Sequence, residues 1–107
     1  MPPRWSEVED FSQENVEWHV RSEPGVYRLS QHDRNWEYHD FYAGQARDLR
    51  ARLLQHLSST EENECIRKRV GQGHCRFQVA YVATQAERDA DERESIGRGL
   101  ECNKQIP

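Results

Sequence analysis

The sequence predicts a small mixed α/β or α+β fold, in which a three-stranded sheet is packed by helices. Three observations carry this reading. Pro24-Gly25 is a turn signal, and two short strand-like runs follow it at 26–29 and 36–43, separated by a polar stretch. Two capped helical stretches come next, and then a clear alternating run at 75–83. A last capped helix closes the order strand, strand, helix, helix, strand, helix.

Each element has a local reason. Asp33 and Asn35 in the polar stretch 31–35 suit a hairpin loop. In the second run Trp36, Tyr38, Asp40 and Tyr42 share one face, with Phe41 and Ala43 on the other, and Gly44 ends it. Asp48 caps a helix over 49–57, whose Leu49, Leu53 and Leu57 form a core stripe. Ser59-Thr60-Glu61-Glu62 reads as a capping box for a shorter helix ending near Val70, stopped by Gly71 and Gly73. In the third strand Phe77, Val79 and Tyr81 point one way, while Arg76, Gln78 and Ala80 point the other. Thr84-Gln85-Ala86-Glu87 opens the last helix, running to about Arg98 with Gly99 as its stop. Val16, Trp18 and Val20 alternate near the start and leave two options, a short strand or a segment packed across the core.

A chain of 107 residues suits one domain, read here as 1–107, with 1–23 an extension packed on a motif-bearing core at 24–104. Only 35% of residues are hydrophobic and 32% are charged, so the core is small. No apolar stretch approaches the roughly 18 residues of a membrane span, and residues 1–4 open no secretory signal, so a cytoplasmic protein without membrane contact is expected. The three cysteines are an odd number and read as reduced thiols. A zinc site from Cys65, His74, Cys75 and Cys102 is the alternative, although no pair has the close Cys-x-x-Cys spacing. A net charge of −4 implies that any grip on nucleic acid is local, weak or shared with a partner. Trp5, Trp18 and Trp36 could stack on bases, meet a partner or complete the core.

Most basic residues, Arg47, Arg50, Arg67, Lys68 and Arg69 among them, read as solvated helix faces. Arg52 and His56 differ, lying about 40° apart on a helix face that borders the leucine stripe. A guanidinium and an imidazole there could bind a phosphate or form a plain surface pair.

Gly25-Val26-Tyr27 and Tyr42-Ala43-Gly44 resemble the two tripeptides that name the GIY-YIG nuclease family. The segment 45–53 resembles the stretch leading to the family's helix arginine, here Arg52, and His56 falls where many members carry His or Tyr. Glu92-Arg93-Glu94-Ser95-Ile96 resembles the helix with the catalytic glutamate, and Asn103 the asparagine near the domain's end. The resemblance spans residue 24 to about residue 104. Ala43 replaces the usual branched residue, and Gln45 stands where Lys is frequent.

The resemblance implies a GIY-YIG endonuclease-like fold with a central three-stranded antiparallel sheet, and phosphodiester hydrolysis in DNA with one divalent cation, Mg²⁺ or Mn²⁺. Glu92 would be the metal ligand, with Glu94 the alternative, and Arg52 would hold the phosphate. Tyr27 would activate water, with Tyr42 orienting water or sharing the proton, and His56 assisting or acting as the base itself. Gly44, Gln45, Arg47 and Asn103 would line the substrate side, Asn103 by fixing local geometry. Two readings follow. One is an endonuclease that binds DNA weakly alone and works with a protein partner or on structured DNA. The other is a binding module that keeps the fold without useful cleavage.

Overall fold

The computed structural model describes residues 3–97 and 99–103. Its elements are β1 (Glu9–Asp10), α1 (Gln13–His19), β2 (Gly25–His32), β3 (Tyr38–Ala46), α2 (Leu49–Leu57), α3 (Glu64–Gln72), β4 (Cys75–Tyr81) and α4 (Gln85–Ile96), with a 3-10 turn at Glu101–Asn103. The expected end of the last helix at Arg98, and of the family-like segment at Lys104, lie outside the described residues.

The sheet has four strands rather than the expected three, in the order β1-β4-β2-β3, and every pairing is antiparallel. The added strand pairs Glu9 with Phe77 and Asp10 with Arg76. It escapes sequence reading because it is two acidic residues long and carries no apolar alternation. Its function in the fold is to cover the edge of β4, helped by bonds from Ser6 N to Val79 O and from Phe11 N to Cys75 O.

Residues 13–19 are helical. Ser12 caps α1 by accepting from Asn15 N, and Val16 and Val20 are buried while Trp18 is 81% exposed. The i, i+4 valines share a helix face and Trp18, about 200° from Val16, faces solvent, so three alternating residues fitted a strand only by their brevity. Asp48 and Thr84 cap α2 and α4 as expected. The box at 59–62 does not form; Asn63 caps α3 instead, and the Glu61 carboxylate turns inward. Strand β3 starts at Tyr38, because Trp36 sits in the turn at φ 63°, and it continues past Gly44 because pairing with β2 runs on to Gly25↔Ala46.

A register shift between Leu29 and Ser30 corrects the expected faces of β3. Leu29 opposes Tyr42 and Ser30 opposes Asp40, which leaves Phe41 as the extra residue. Phe41 and Tyr42 therefore both join the main core with Leu29, Leu49, Leu53, Ile66 and Phe77.

On the opposite face Val26, Ala80 and Val82 form a smaller buried cluster, with Trp5 against them. Helix α4 covers that face with few apolar groups, so polar bonds hold it. Arg88, buried, donates to the carbonyls of Val82 and Ala83, and Arg28 Nε donates to Ser95 Oγ. The Arg28 guanidinium also lies 4.0 Å over the Trp5 ring, which takes Trp5 out of the set of bare aromatics.

The expectation of three reduced thiols is corrected as well. Cys65 and Cys102 form a disulfide, joining the start of α3 to the 3-10 turn across a separation of 37 residues, which leaves neither for a zinc site. Cys75 is free and buried, and burial pushes its thiol up to about 11. Among the described residues, no helix is long and apolar enough to cross a membrane.

Candidate active site

The two glycine-bearing tripeptides lie side by side, with Tyr27 opposite Gly44 and Gly25 opposite Ala46. Neither glycine tolerates a side chain. A Cβ at Gly25 would lie 2.2 Å from the Ala80 carbonyl oxygen, and one at Gly44 would lie 2.5 Å from the Tyr27 hydroxyl. Gly44 thus makes the space in which the Tyr27 phenol rests.

Tyr27 is 1% exposed, and its hydroxyl lies 2.6 Å from His56 Nε2. The Tyr42 ring completes the group, with centroids 6.0 Å from Tyr27 and 5.5 Å from His56. Burial holds the Tyr27 hydroxyl well above the ordinary phenol range; Tyr42 pushes the same way, and the Arg52 guanidinium opposes both. His56 is pulled from 6.5 down to about 4, chiefly by burial, with Arg52 adding to the fall and Glu61 resisting it. The imidazole is therefore neutral at neutral pH. Arg52, half-buried one turn before His56, also donates to Gln55 Oε1.

A second polar group stands on the other face of the sheet. Gln45 Nε2 donates to Glu92 Oε1 at 3.0 Å and to Asp89 Oδ1 at 2.7 Å, and Gln85 Nε2 donates to Gln45 Oε1 and Asp89 Oδ1. These amides hold the Asp89 carboxyl below the usual range. Glu92 is half-buried against β3, whereas Glu94, about 200° further round the helix, is exposed. Helix geometry thus aims Glu92, not Glu94, at the tripeptide strand. Both groups meet at β3, the outer strand of the sheet, with tyrosines, Arg52 and His56 on one side and the carboxylates on the other.

The remaining sequence-predicted residues fall around that strand. Asn103 accepts from Ala43 N at 2.8 Å and donates to Ala43 O at 2.9 Å, so its amide occupies part of the β3 edge like a strand partner. Arg47 is exposed in the turn before α2. Arg50 ties α1 to α2 through the carbonyls of Val20 and Glu17. Arg69 reaches Gln31 and Glu101. Glu61 is the residue that sequence reasoning placed elsewhere: its Oε2 meets His56 Nδ1 at 3.0 Å and it is 3% exposed. It sits in a polar turn beside Glu62, and nothing local distinguishes the acid that turns inward.

Glu92 and Asp89 offer hard oxygen donors, the type that Mg²⁺ and Mn²⁺ prefer, so the side chains present fit such an ion. A separate set, Asp33, Glu37 and His39, has donor atoms within 4.8 Å of one another. It lies at the hairpin end of β2 and β3, away from Tyr27 and Gly44, and all three residues are exposed or nearly so.

The chain has the GIY-YIG endonuclease fold. It superposes on the crystal structure of the GIY-YIG N-terminal endonuclease domain of UvrC from Thermotoga maritima, a tyrosine-to-phenylalanine point mutant bound to its catalytic divalent cation. The TM-score is 0.64, with 19% sequence identity over 86% of this chain and 98% of that one. No protein-family model and no curated protein matches the sequence.

Proposed function

We propose that this chain is a divalent-metal-dependent endonuclease that hydrolyses DNA phosphodiester bonds. The observation that carries the proposal is the gathering of Tyr27, Tyr42, Arg52 and His56 around Gly44 on one side of β3, with Glu92 held on the other. Arg52 holds the scissile phosphate and offsets charge that builds on its oxygens. Tyr27 takes the proton of the attacking water, Tyr42 orients that water or shares the proton, and His56 assists Tyr27. Glu92 would hold a Mg²⁺ or Mn²⁺, whose charge would polarise the phosphate and stabilise the leaving oxygen. Gly44, Gln45, Arg47 and Asn103 shape the substrate side of the outer strand, Gln45 by fixing the Glu92 carboxylate.

The net charge of −4 weakens attraction to a polyanion, so the enzyme acts with a protein partner or on branched DNA. Residues 1–107 are read as one domain, with 1–23 its extension, whose described residues 3–23 lie on the core through bonds such as Leu49 N to Glu23 O. A cytoplasmic location is the working placement, and the Cys65–Cys102 disulfide weighs against it, since such bonds persist in oxidising compartments.

The second reading, a binding module without useful cleavage, is favoured by Gln45, an uncharged residue where family members often carry Lys. Nicking of supercoiled plasmid and of branched DNA at low salt, with Mg²⁺ or Mn²⁺, separates the two. The wild type is expected to cut, and Glu92→Ala to lose at least about a hundredfold. Absence of cutting by both folded proteins, with DNA bound equally by both, favours the module, whereas equal cutting by both removes Glu92 as the metal ligand.

A further inference from the structure

The hydrogen bonds at Tyr27 and His56 continue to a third residue that the family resemblance does not name. Glu61, in the turn between α2 and α3, has almost no surface, and both its oxygens are engaged. Oε2 meets His56 Nδ1 at 3.0 Å, and Oε1 accepts from Asn63 N at 3.1 Å. An acid kept that deep stays only where its partners compensate its lost hydration.

The chain of contacts sets the proton positions. A carboxylate only accepts, so His56 Nδ1 carries the ring proton and Nε2 presents its lone pair. Tyr27 Oη, 2.6 Å away, then donates to Nε2. The charged and titratable groups around His56 are Tyr27 from β2, Tyr42 from β3, Arg52 from its own helix and Glu61 from the following turn. Glu61 is the acid among them, and it stands opposite the one nitrogen that does not face Tyr27.

We propose that Glu61 is a positioning residue that holds His56 in the Nδ1–H tautomer, so that Nε2 takes the Tyr27 proton during hydrolysis. The proposal rests on the hydrolytic reading above. As the water oxygen bonds to phosphorus and the bond to the leaving oxygen breaks, the water proton passes to Tyr27 Oη. The proton already on Tyr27 passes to His56 Nε2. The imidazolium so formed faces the Glu61 carboxylate and returns its proton through Tyr27 to water once the product leaves, while the leaving oxygen takes its proton from solvent. Without Glu61 that cation would form in a buried site beside the Arg52 guanidinium.

Glu61→Gln tests the tautomer. The Asn63 N–H is fixed in the backbone and needs an acceptor, so the amide oxygen of glutamine turns to it. The amide NH₂ then faces His56 Nδ1, which favours the Nε2–H tautomer and sets two donors against each other at Tyr27. Nitrogen NMR of ¹⁵N-histidine-labelled protein at pH 7, without DNA, reads this directly.

The wild type is expected to show a protonated Nδ1 and an unprotonated Nε2 for His56, and folded Glu61→Gln to show the reverse. With DNA and Mn²⁺, Glu61→Gln is expected to lose at least about tenfold in kcat with KM within about twofold. The proposal fails if wild-type His56 carries its proton on Nε2, a result that needs no variant to fold. It also fails if Glu61→Gln changes neither the tautomer nor kcat. A wild type with the expected tautomer that cuts no DNA overturns the proton transfer together with the hydrolytic reading, and so marks that failure apart.

Discussion

A methyl group placed on Gly44 would test how Tyr27 is held. A Cβ there lies 2.5 Å from Tyr27 Oη, 2.6 Å from Cζ and 3.0 Å from Cε1. Ordinary contact begins at about 3.4 Å, so 3.4 − 2.5 requires a retreat of about 0.9 Å. The phenol has nowhere easy to go, being 1% exposed and tied to His56 at 2.6 Å. Overpacking of this kind costs about 1–3 kcal/mol, and disrupting the buried hydrogen bond adds about 1 kcal/mol. Gly44→Ala should therefore lose roughly 2–4 kcal/mol, a large part of the roughly 5–15 kcal/mol that holds a small domain together. Urea denaturation at pH 7 measures it. Gly71→Ala is the control: nothing lies within 4 Å of its added Cβ, it sits in α3, and it should gain up to about 1 kcal/mol. A Gly44→Ala protein within about 0.5 kcal/mol of wild type would refute the placement of Tyr27 against this glycine.

Two further predictions concern the same core. The His56 imidazole binds its proton near pH 4 in the folded chain and near 6.5 when unfolded, so the unfolded state binds more protons between those values. Its contribution to stability is complete above about pH 6.5 and is lost as pH falls toward 4; denaturation curves between pH 7 and 4.5 should be steeper in pH for wild type than for His56→Gln, and parallel curves would refute this. Reducing the Cys65–Cys102 disulfide frees a 37-residue separation and should cost about 3–4 kcal/mol by chain entropy. An unchanged denaturation midpoint after reduction, checked by thiol titration, would show that the bond does not constrain the unfolded chain.

The features legible in the sequence are those with local signatures. Leu49 and Leu53 mark α2 by spacing, Asp48 and Thr84 mark helix starts by their capping oxygens, and Phe77 and Val79 mark β4 by alternation. The tripeptides belong with these, because Gly25 and Gly44 are required by close approaches between neighbouring strands. From these elements the order of the three main strands and the helices among them and the shared face of Arg52 and His56 were within reach, whereas the choice of Glu92 over Glu94 needed the contact with Gln45.

Where brief or weak local patterns fitted two structures, contacts made the choice. Val16 and Val20 are as compatible with a helix as with a strand until both are seen to enter one core. Phe41 joins that core only because the β2–β3 register slips at Leu29. The inward turn of Glu61, the Asn103 amide on Ala43 and the Cys65–Cys102 bond join groups whose neighbours in sequence carry no mark of the pairing. Residue type and period along the chain determined most of the elements, and the tripeptides carried the resemblance from which roles for tyrosine, arginine and glutamate are proposed. Which acid meets His56, which amide holds Glu92 and which cysteines join were decided by packing, since these contacts depend on distances in space that no local period encodes.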